Sequence, residues 1–182
     1  LLTESPPCQN HSFSDEMNSE YDVCIAGAGN AALCAAISAA DKGARVLVLE
    51  RAPQQENGGN SRFTAGGFRF TYDGVDDLRT LCNLSESEIQ TSEFGTYTKN
   101  QFFDDMFRIT GFRCDPDLVE VLVQNSLPTI RWLHERGVRF VPMYGRQAFK
   151  ANGKFRFWGG LTVEARGGGP GLVDMETEIA KQ

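Results

Sequence analysis

Histidine is nearly absent from this chain, with two in 182 residues, His11 and His134. Zinc sites draw three or four ligands from Cys, His and carboxylates at short fixed spacings. The five cysteines (Cys8, Cys24, Cys34, Cys82 and Cys114) contain no Cys-x-x-Cys pair, and no metal site is expected. A Ser–His–Asp triad would have to use His134, which stands in a helical run and reads as a helix-surface or core-edge residue. Positive charge is also scarce. Lys and Arg total 18 against 24 acidic residues, a formal charge of −6, so no basic face points to nucleic acid. Long hydrophobic runs are missing too. Residues 23–40 are almost uncharged, but they are mostly Ala and Gly with Asn30 and Ser38 inside, too weakly apolar for a membrane span. Residues 1–20 hold four carboxylates, no Lys or Arg, and no apolar core. They fit neither a secretory signal nor a transit peptide, so a disordered leader and a cytoplasmic location are expected. Cys24 sits in an apolar run and Cys34 among alanines, so both are expected to be buried, reduced thiols.

What the chain has in excess is glycine, 19 residues, in a composition (41% hydrophobic, 23% charged) of globular type. Residues 21–26 (YDVCIA) read as a buried strand, followed by Gly27-Ala28-Gly29-Asn30-Ala31-Ala32 and a run of helix formers to Lys42. Leu33, Ala36, Ile37 and Ala40 fall on one helical face, Gly43 ends the helix, and residues 45–50 (RVLVLE) form a second strand. Strand, glycine turn, helix and strand make a βαβ unit, which implies a parallel sheet and a Rossmann-like α/β fold.

Further along, residues 54–67 are rich in Gly, Asn and Ser, and residues 71–95 read as a polar surface excursion. Residues 98–110 predict a helix with Phe102, Phe103, Met106 and Ile109 inward. Asp115-Pro116-Asp117 predicts a sharp helix start, with Leu118, Val121, Leu122, Trp132 and Leu133 as contacts, a kink at Pro128 and an end near Gly137. Residues 138–142 read as a strand and 155–157 as part of a hairpin. A final helical pattern over 172–182 places Leu172, Met175, Ile179 and Ala180 along one side. The chain ends there without the strand that an α/β pattern would add next, so it is expected to be a truncated chain or fragment.

Gly27-x-Gly29-x-x-Ala32 has the G-x-G-x-x-G/A form of a dinucleotide fingerprint: a tight turn, a close approach for pyrophosphate, and close helix–strand packing. The helix start offers free N–H donors and partial positive charge to phosphates. Glu50 closes the second strand, 21 positions beyond Gly29, where an acid hydrogen-bonds ribose hydroxyls; it also disfavours a 2′-phosphate. NAD and FAD share this fingerprint, so a nicotinamide-dependent enzyme stays open at this point. The loop Gly58-Gly59-Asn60-Ser61 to Ala65-Gly66-Gly67 can bring backbone N–H groups against a flat ring or a phosphate.

The order YDVCIAGAGNAALCAAISAADKGARVLVLE, then GGNSRFTAGGFRF, resembles the FAD-binding domain of the fumarate reductase/succinate dehydrogenase flavoprotein superfamily. NSLPTIRWLHERGVRF and RGGGPGLV follow the same family order, so the likeness covers about residues 21–182, and the glycine loop resembles the tricarballylate dehydrogenase branch. The resemblance implies a fold in which the FAD domain is interrupted by a capping domain that closes over the substrate, with residues 21–182 the N-terminal portion of the FAD-binding domain, truncated before the capping domain. It implies contacts to FAD from Ala28, Glu50, Arg51, Asn60, Ser61, Gly66 and Gly67. Gly27, Gly29, Ala31, Ala32, Gly59, Thr64 and Ala65 complete the expected cofactor-binding set. Asn60 stands where membrane-bound relatives carry a flavin-linked histidine, so non-covalent FAD is expected. The family's catalytic residues are expected beyond residue 182. Arg166 is the one reachable candidate for a substrate carboxylate, and an ordinary surface arginine fits it equally. The implied reaction oxidises or reduces a carbon–carbon bond beside a carboxylate, with a small carboxylate substrate and an electron-transfer partner. A 3-ketosteroid dehydrogenase-like enzyme and a truncated, non-catalytic nucleotide-binding remnant are the alternatives.

Overall fold

A computed structural model describes residues 20–182. The expected leader, with Cys8 and His11, lies outside the described residues except for Glu20.

Strand β1 (Val23–Ala26), helix α1 (Asn30–Ala40) and strand β2 (Val46–Leu49) form the expected βαβ unit. The strands pair in parallel, Val23 opposite Val46 through Ala26 opposite Leu49. Leu33, Ala36 and Ile37 of α1 are buried. Ala40, expected on the same face, is exposed, because the helix ends there and turns out through Asp41. Cys24 is exposed rather than buried. Side chains alternate across a strand, and β1 carries Cys24 on the face opposite to that of its half-buried neighbours Val23 and Ile25.

The segment after β2 contains short elements: α2 (Gly59–Arg62), β3 (Gly67–Phe68), α3 (Val75–Arg79), α4 (Glu86–Thr91) and β4 (Ser92–Glu93). Residues 71–95 are not a surface excursion. They place Tyr72, Leu78, Leu81, Cys82 and Phe94 in the main core. Their apolar residues are sparse because each element is at most two turns long, too short to display a periodic stripe.

Helix α5 (Lys99–Thr110) opens on a capping box, Thr98 with Gln101. Helix α6 (Pro116–Arg136) opens where expected. One Asp115 oxygen accepts from the N–H groups of Asp117 and Leu118 at 2.9 and 3.2 Å. Its inward face differs from the sequence expectation. Val119, Val123, Ser126, Ile130 and Leu133 are buried, while Leu118 is 68% exposed and Val121 and Leu122 also face out. Ile109 on α5 is likewise exposed. Helix α6 carries two overlapping apolar stripes at helical spacing, and packing selects one of them.

Beyond α6 come β5 (Phe140–Pro142), α7 (Tyr144–Gln147), β6 (Ala148–Ala151), β7 (Lys154–Phe157), β8 (Val163–Ala165) and α8 (Gly168–Ala180). Two further sheets, ordered β3-β8-β5 and β4-β7-β6, complete the mixed α/β architecture. The hairpin expected around residues 155–157 is β6–β7. Helix α8 begins at Gly168, four residues before the pattern from 172 suggests. It buries Leu172, Val173 and Glu176 and leaves Ala180 exposed.

Candidate cofactor site

The turn after β1 begins at Gly27, whose φ of 93° lies in the left-handed region that glycine enters without a Cβ clash. Its N–H donates to the Leu49 carbonyl at 2.6 Å, tying the turn to the end of β2. The next residue is held by the acid itself. Ala28 N–H donates to Glu50 Oε2 and Ala52 N–H donates to Glu50 Oε1, both at 2.8 Å. The N–H donors of Ala52 and then Ala28 hold this carboxyl below the usual carboxylate range. Glu50 is exposed, so its remaining lone pairs face outward as acceptors.

Helix α1 starts without a side-chain cap from Gly29. Asn30 N–H donates to Ser61 Oγ at 3.1 Å, across from the second glycine-rich segment. The N–H groups of Ala31 and Ala32 take no acceptor among the described residues. Unpaired N–H groups at a helix start attract anionic oxygen. Gly29 is tight: a Cβ there would lie 3.2 Å from the Gly58 carbonyl oxygen and 3.4 Å from Ser61 Oγ. A Cβ on Gly27 or Gly59 would meet nothing within 4 Å.

The glycine loop is braced by α8. Arg62 donates to Asn57 and to Asp174 Oδ1, the latter at 2.9 Å. Thr64 Oγ1 donates to the Ser61 carbonyl and accepts from Gly66 N–H, while Gly169 N–H donates to the Thr64 carbonyl at 3.0 Å. A Cβ on Gly66 would come within 2.7 Å of the Gly168 backbone, and one on Gly67 within 3.0 Å of Met143 Sδ. These two glycines therefore answer a packing demand from α8 and from the residue after β5.

The expected residues fall into groups. Ala28, Gly29, Ala31, Ala32, Glu50 and Ser61 converge around the β1–α1 turn. Arg51 is exposed beside Glu50, and Gly59, Asn60 and Thr64 are exposed on the loop, with Ala65 half-buried. Gly66 and Gly67 stand at the far end of the loop. Arg166 is exposed, and no described side-chain hydrogen bond or ion pair joins it to this site; its backbone N–H donates to the Arg139 carbonyl. His134 closes the end of α6, with Nδ1 3.1 Å from the Val138 carbonyl oxygen.

Sequence reasoning missed Asn30, Val173, Asp174 and Glu176. The run Gly167–Gly169 carried a signal of close packing but reads equally as a flexible helix start. Glu176 is fully buried with Oε1 3.6 Å from Cys34 Sγ and Oε2 without a partner. Burial pushes its carboxyl up to about 7 and the Cys34 thiol up to about 12.

Among the described residues no group of three His, Cys, Asp or Glu could hold a metal ion, and no helix is long and apolar enough to cross a membrane. The β1–α1 turn fits a dinucleotide such as FAD. It combines open space over Gly27, unpaired donors at Ala31 and Ala32, and an ionised acceptor at Glu50, and the glycine loop adds open space over Gly59.

Comparison with known proteins agrees. Residues 22–173 match the family described as FAD binding domain. The chain is 30% identical over 125 residues to NADH:fumarate oxidoreductase of Klebsiella pneumoniae (strain 342), covering 69% of this chain and 12% of that protein. It is 29% identical over 144 residues to fumarate reductase (cytochrome) of Shewanella frigidimarina, covering 79% of this chain and 22% of that protein. Both relatives are thus several times longer than this chain. Its fold is similar to part of the open conformation of a flavocytochrome c3 fumarate reductase, with a TM-score of 0.62 at 23% identity over 88% of this chain and 25% of that one. The chain belongs to the FAD binding domain family, and its cofactor is FAD.

Proposed function

We propose that residues 21–182 form the N-terminal portion of the FAD-binding domain of an oxidoreductase acting on a carbon–carbon bond beside a carboxylate. The observation that carries this reading is the Glu50 carboxylate, pinned by the N–H groups of Ala28 and Ala52 beside the uncapped start of α1. In this reading Glu50 accepts from ribose hydroxyls, and Gly27, Ala28 and Gly29 let the pyrophosphate approach the backbone. Ala31 and Ala32 donate N–H groups to it. Arg51 flanks the adenosine end. Gly59, Asn60, Ser61, Thr64, Ala65, Gly66 and Gly67 border the remainder of the cofactor, which Asn60 leaves non-covalent.

Bound flavin supplies hydride transfer to or from a carbon of the substrate. The chain's own residues bind and orient it. Arg166 remains the candidate for a substrate carboxylate, because a guanidinium fork matches that group. The substrate class is a small carboxylate of the fumarate, succinate or tricarballylate kind, and an electron-transfer partner exchanges electrons with the flavin. The relatives whose names contain fumarate support this class.

The test is the visible absorption spectrum of the purified chain, before and after acid precipitation. Flavin bands that move into the supernatant support a non-covalent site. A chain that stays colourless after incubation with FAD overturns the reading. Bleaching of bound flavin by a 3-ketosteroid, and not by succinate or tricarballylate, would redirect the substrate assignment.

A further inference from the structure

Building on the FAD reading above, we propose that the Asn30 side chain is a further ligand of the cofactor pyrophosphate, held in place by Cys34 under the control of buried Glu176. Asn30 is the first residue of α1. Side chains lean toward the start of their helix, so its amide stands at the helix mouth, and Cys34, one turn on, reaches back to it. Cys34 Sγ donates to Asn30 Oδ1 at 3.5 Å. Oxygen and nitrogen sit on opposite branches of a planar amide. The hold on Oδ1 therefore turns Nδ2 away from Cys34, and Nδ2 donates to no atom among the described residues. Its neighbours are equally free. Ser61 Oγ accepts from Asn30 N–H at 3.1 Å while its own O–H donates to no described atom, and the unpaired N–H groups of Ala31 and Ala32 follow. Amide, hydroxyl and helix start thus offer donors to one anion.

The thiol has one proton and two oxygens in reach. Glu176 Oε1, on α8, stands 3.6 Å from the same Sγ. Glu176 is fully buried, and its Oε2 has no partner. A neutral carboxyl is the weaker acceptor and leaves the thiol proton to Asn30, whereas a carboxylate takes that proton's bond and releases the amide. Burial raises the Glu176 pKa to about 7, so both states are reached near neutrality. The surroundings of α8 add little charge. Helix α1 carries no charged residue, and Arg62 of α2 is paired with Asp174. Strand β8 contributes half-buried Glu164, and His134 at the end of α6 is turned to the Val138 carbonyl. On α8 itself Glu178 is paired with Lys181. Burial and the Cys34 contact are what shift Glu176.

The experiment titrates FAD into the chain at about pH 6 and about pH 8.5, on either side of Glu176 ionisation, with flavin fluorescence as the readout. The wild-type chain is expected to bind about tenfold more weakly at the higher pH. Glu176→Gln cannot ionise and is expected to keep the tighter value at both. Asn30→Ala and Cys34→Ala are expected to bind about tenfold more weakly at the lower pH and to lose the pH response. Asn30→Ala binding as tightly as wild type, or a Glu176→Gln profile that matches wild type, overturns the proposal and leaves the FAD reading standing. An Asn30→Ala chain that still weakens with pH assigns the effect to the Glu176 charge acting directly on the pyrophosphate, and also overturns it. A wild-type chain that takes up no FAD at either pH overturns the functional reading and this proposal together. Should any of these variants fail to fold, Asn30→Asp decides, because it keeps the shape and replaces the donor by an acceptor. Asn30→Asp binding FAD as tightly as wild type overturns the proposal.

Discussion

Glu50 and Ala28 are joined at the ends of two parallel strands, the Glu50 carboxylate accepting the Ala28 N–H at 2.8 Å. The bond makes the glycine turn and the acid a single unit, so damage to either reaches the other.

Glu50→Ala is expected to weaken FAD binding by about tenfold, because a charge-assisted acceptor is lost. Flavin fluorescence titration measures this, and an unchanged affinity contradicts the assigned role. The folded pKa of Glu50 is depressed, so its contribution is present above 4.5, its ordinary value, and is lost as pH falls through the lower folded value.

Gly29→Val is expected to reduce flavin retention to background. The first added carbon already lies 3.2 Å from the Gly58 carbonyl, and the branching methyls must displace that loop or fill the approach to the turn. Circular dichroism checks that the variant still folds. A folded valine variant that keeps full flavin would sink the cradle assignment.

Gly169→Ala tests the brace between α8 and the loop. The new Cβ would collide with the Ser61 carbonyl oxygen and stand 2.7 Å from two Thr64 oxygens, all held by hydrogen bonds. Overpacking of this kind costs about 3 kcal/mol, and thermal denaturation should show a Tm lower by about 5–10 °C.

Glu176 makes stability depend on pH in a direction opposite to Glu50. Its folded pKa of about 7 lies above the ordinary 4.5, so the folded chain keeps a proton that the unfolded chain releases. Stability should therefore fall as pH rises from about 4.5 to 7 and then level off, by about 3 kcal/mol at most. Glu176→Gln should flatten this slope and raise Tm at pH 8; melts across that range decide it.

Asp115→Ala removes the cap that accepts two N–H groups at the start of α6. The expected loss is about 1 kcal/mol, read as a Tm lower by about 2–4 °C, with flavin affinity unchanged.

The βαβ unit, the Gly27–Ala32 fingerprint, the Asp115 cap and the β6–β7 hairpin were legible because each is set by local chemistry. A turn that needs positive φ, a cap that needs a side-chain acceptor and a crossover that needs a helix all leave marks within a few dozen residues. The face of α6 was not legible. Leu118, Val121 and Leu122 are as apolar as Val119, Val123 and Ile130, and only the neighbouring elements choose between the two stripes. The core role of Leu78, Leu81 and Phe94 was hidden for a related reason, since helices of one or two turns show no period.

The sequence by itself determined the fold class, the family and the position of the acid that faces the glycine turn. The tertiary structure alone decided that Ser61 meets Asn30, that Gly66 and Gly67 answer to Gly168 and Met143, and that Glu176 and Glu164 are desolvated in different settings. The physical reason is range. Hydrogen-bonded turns and caps are settled between residues close in the chain, whereas burial, collision and the loss of water from a carboxylate depend on partners brought together from up to 142 positions away.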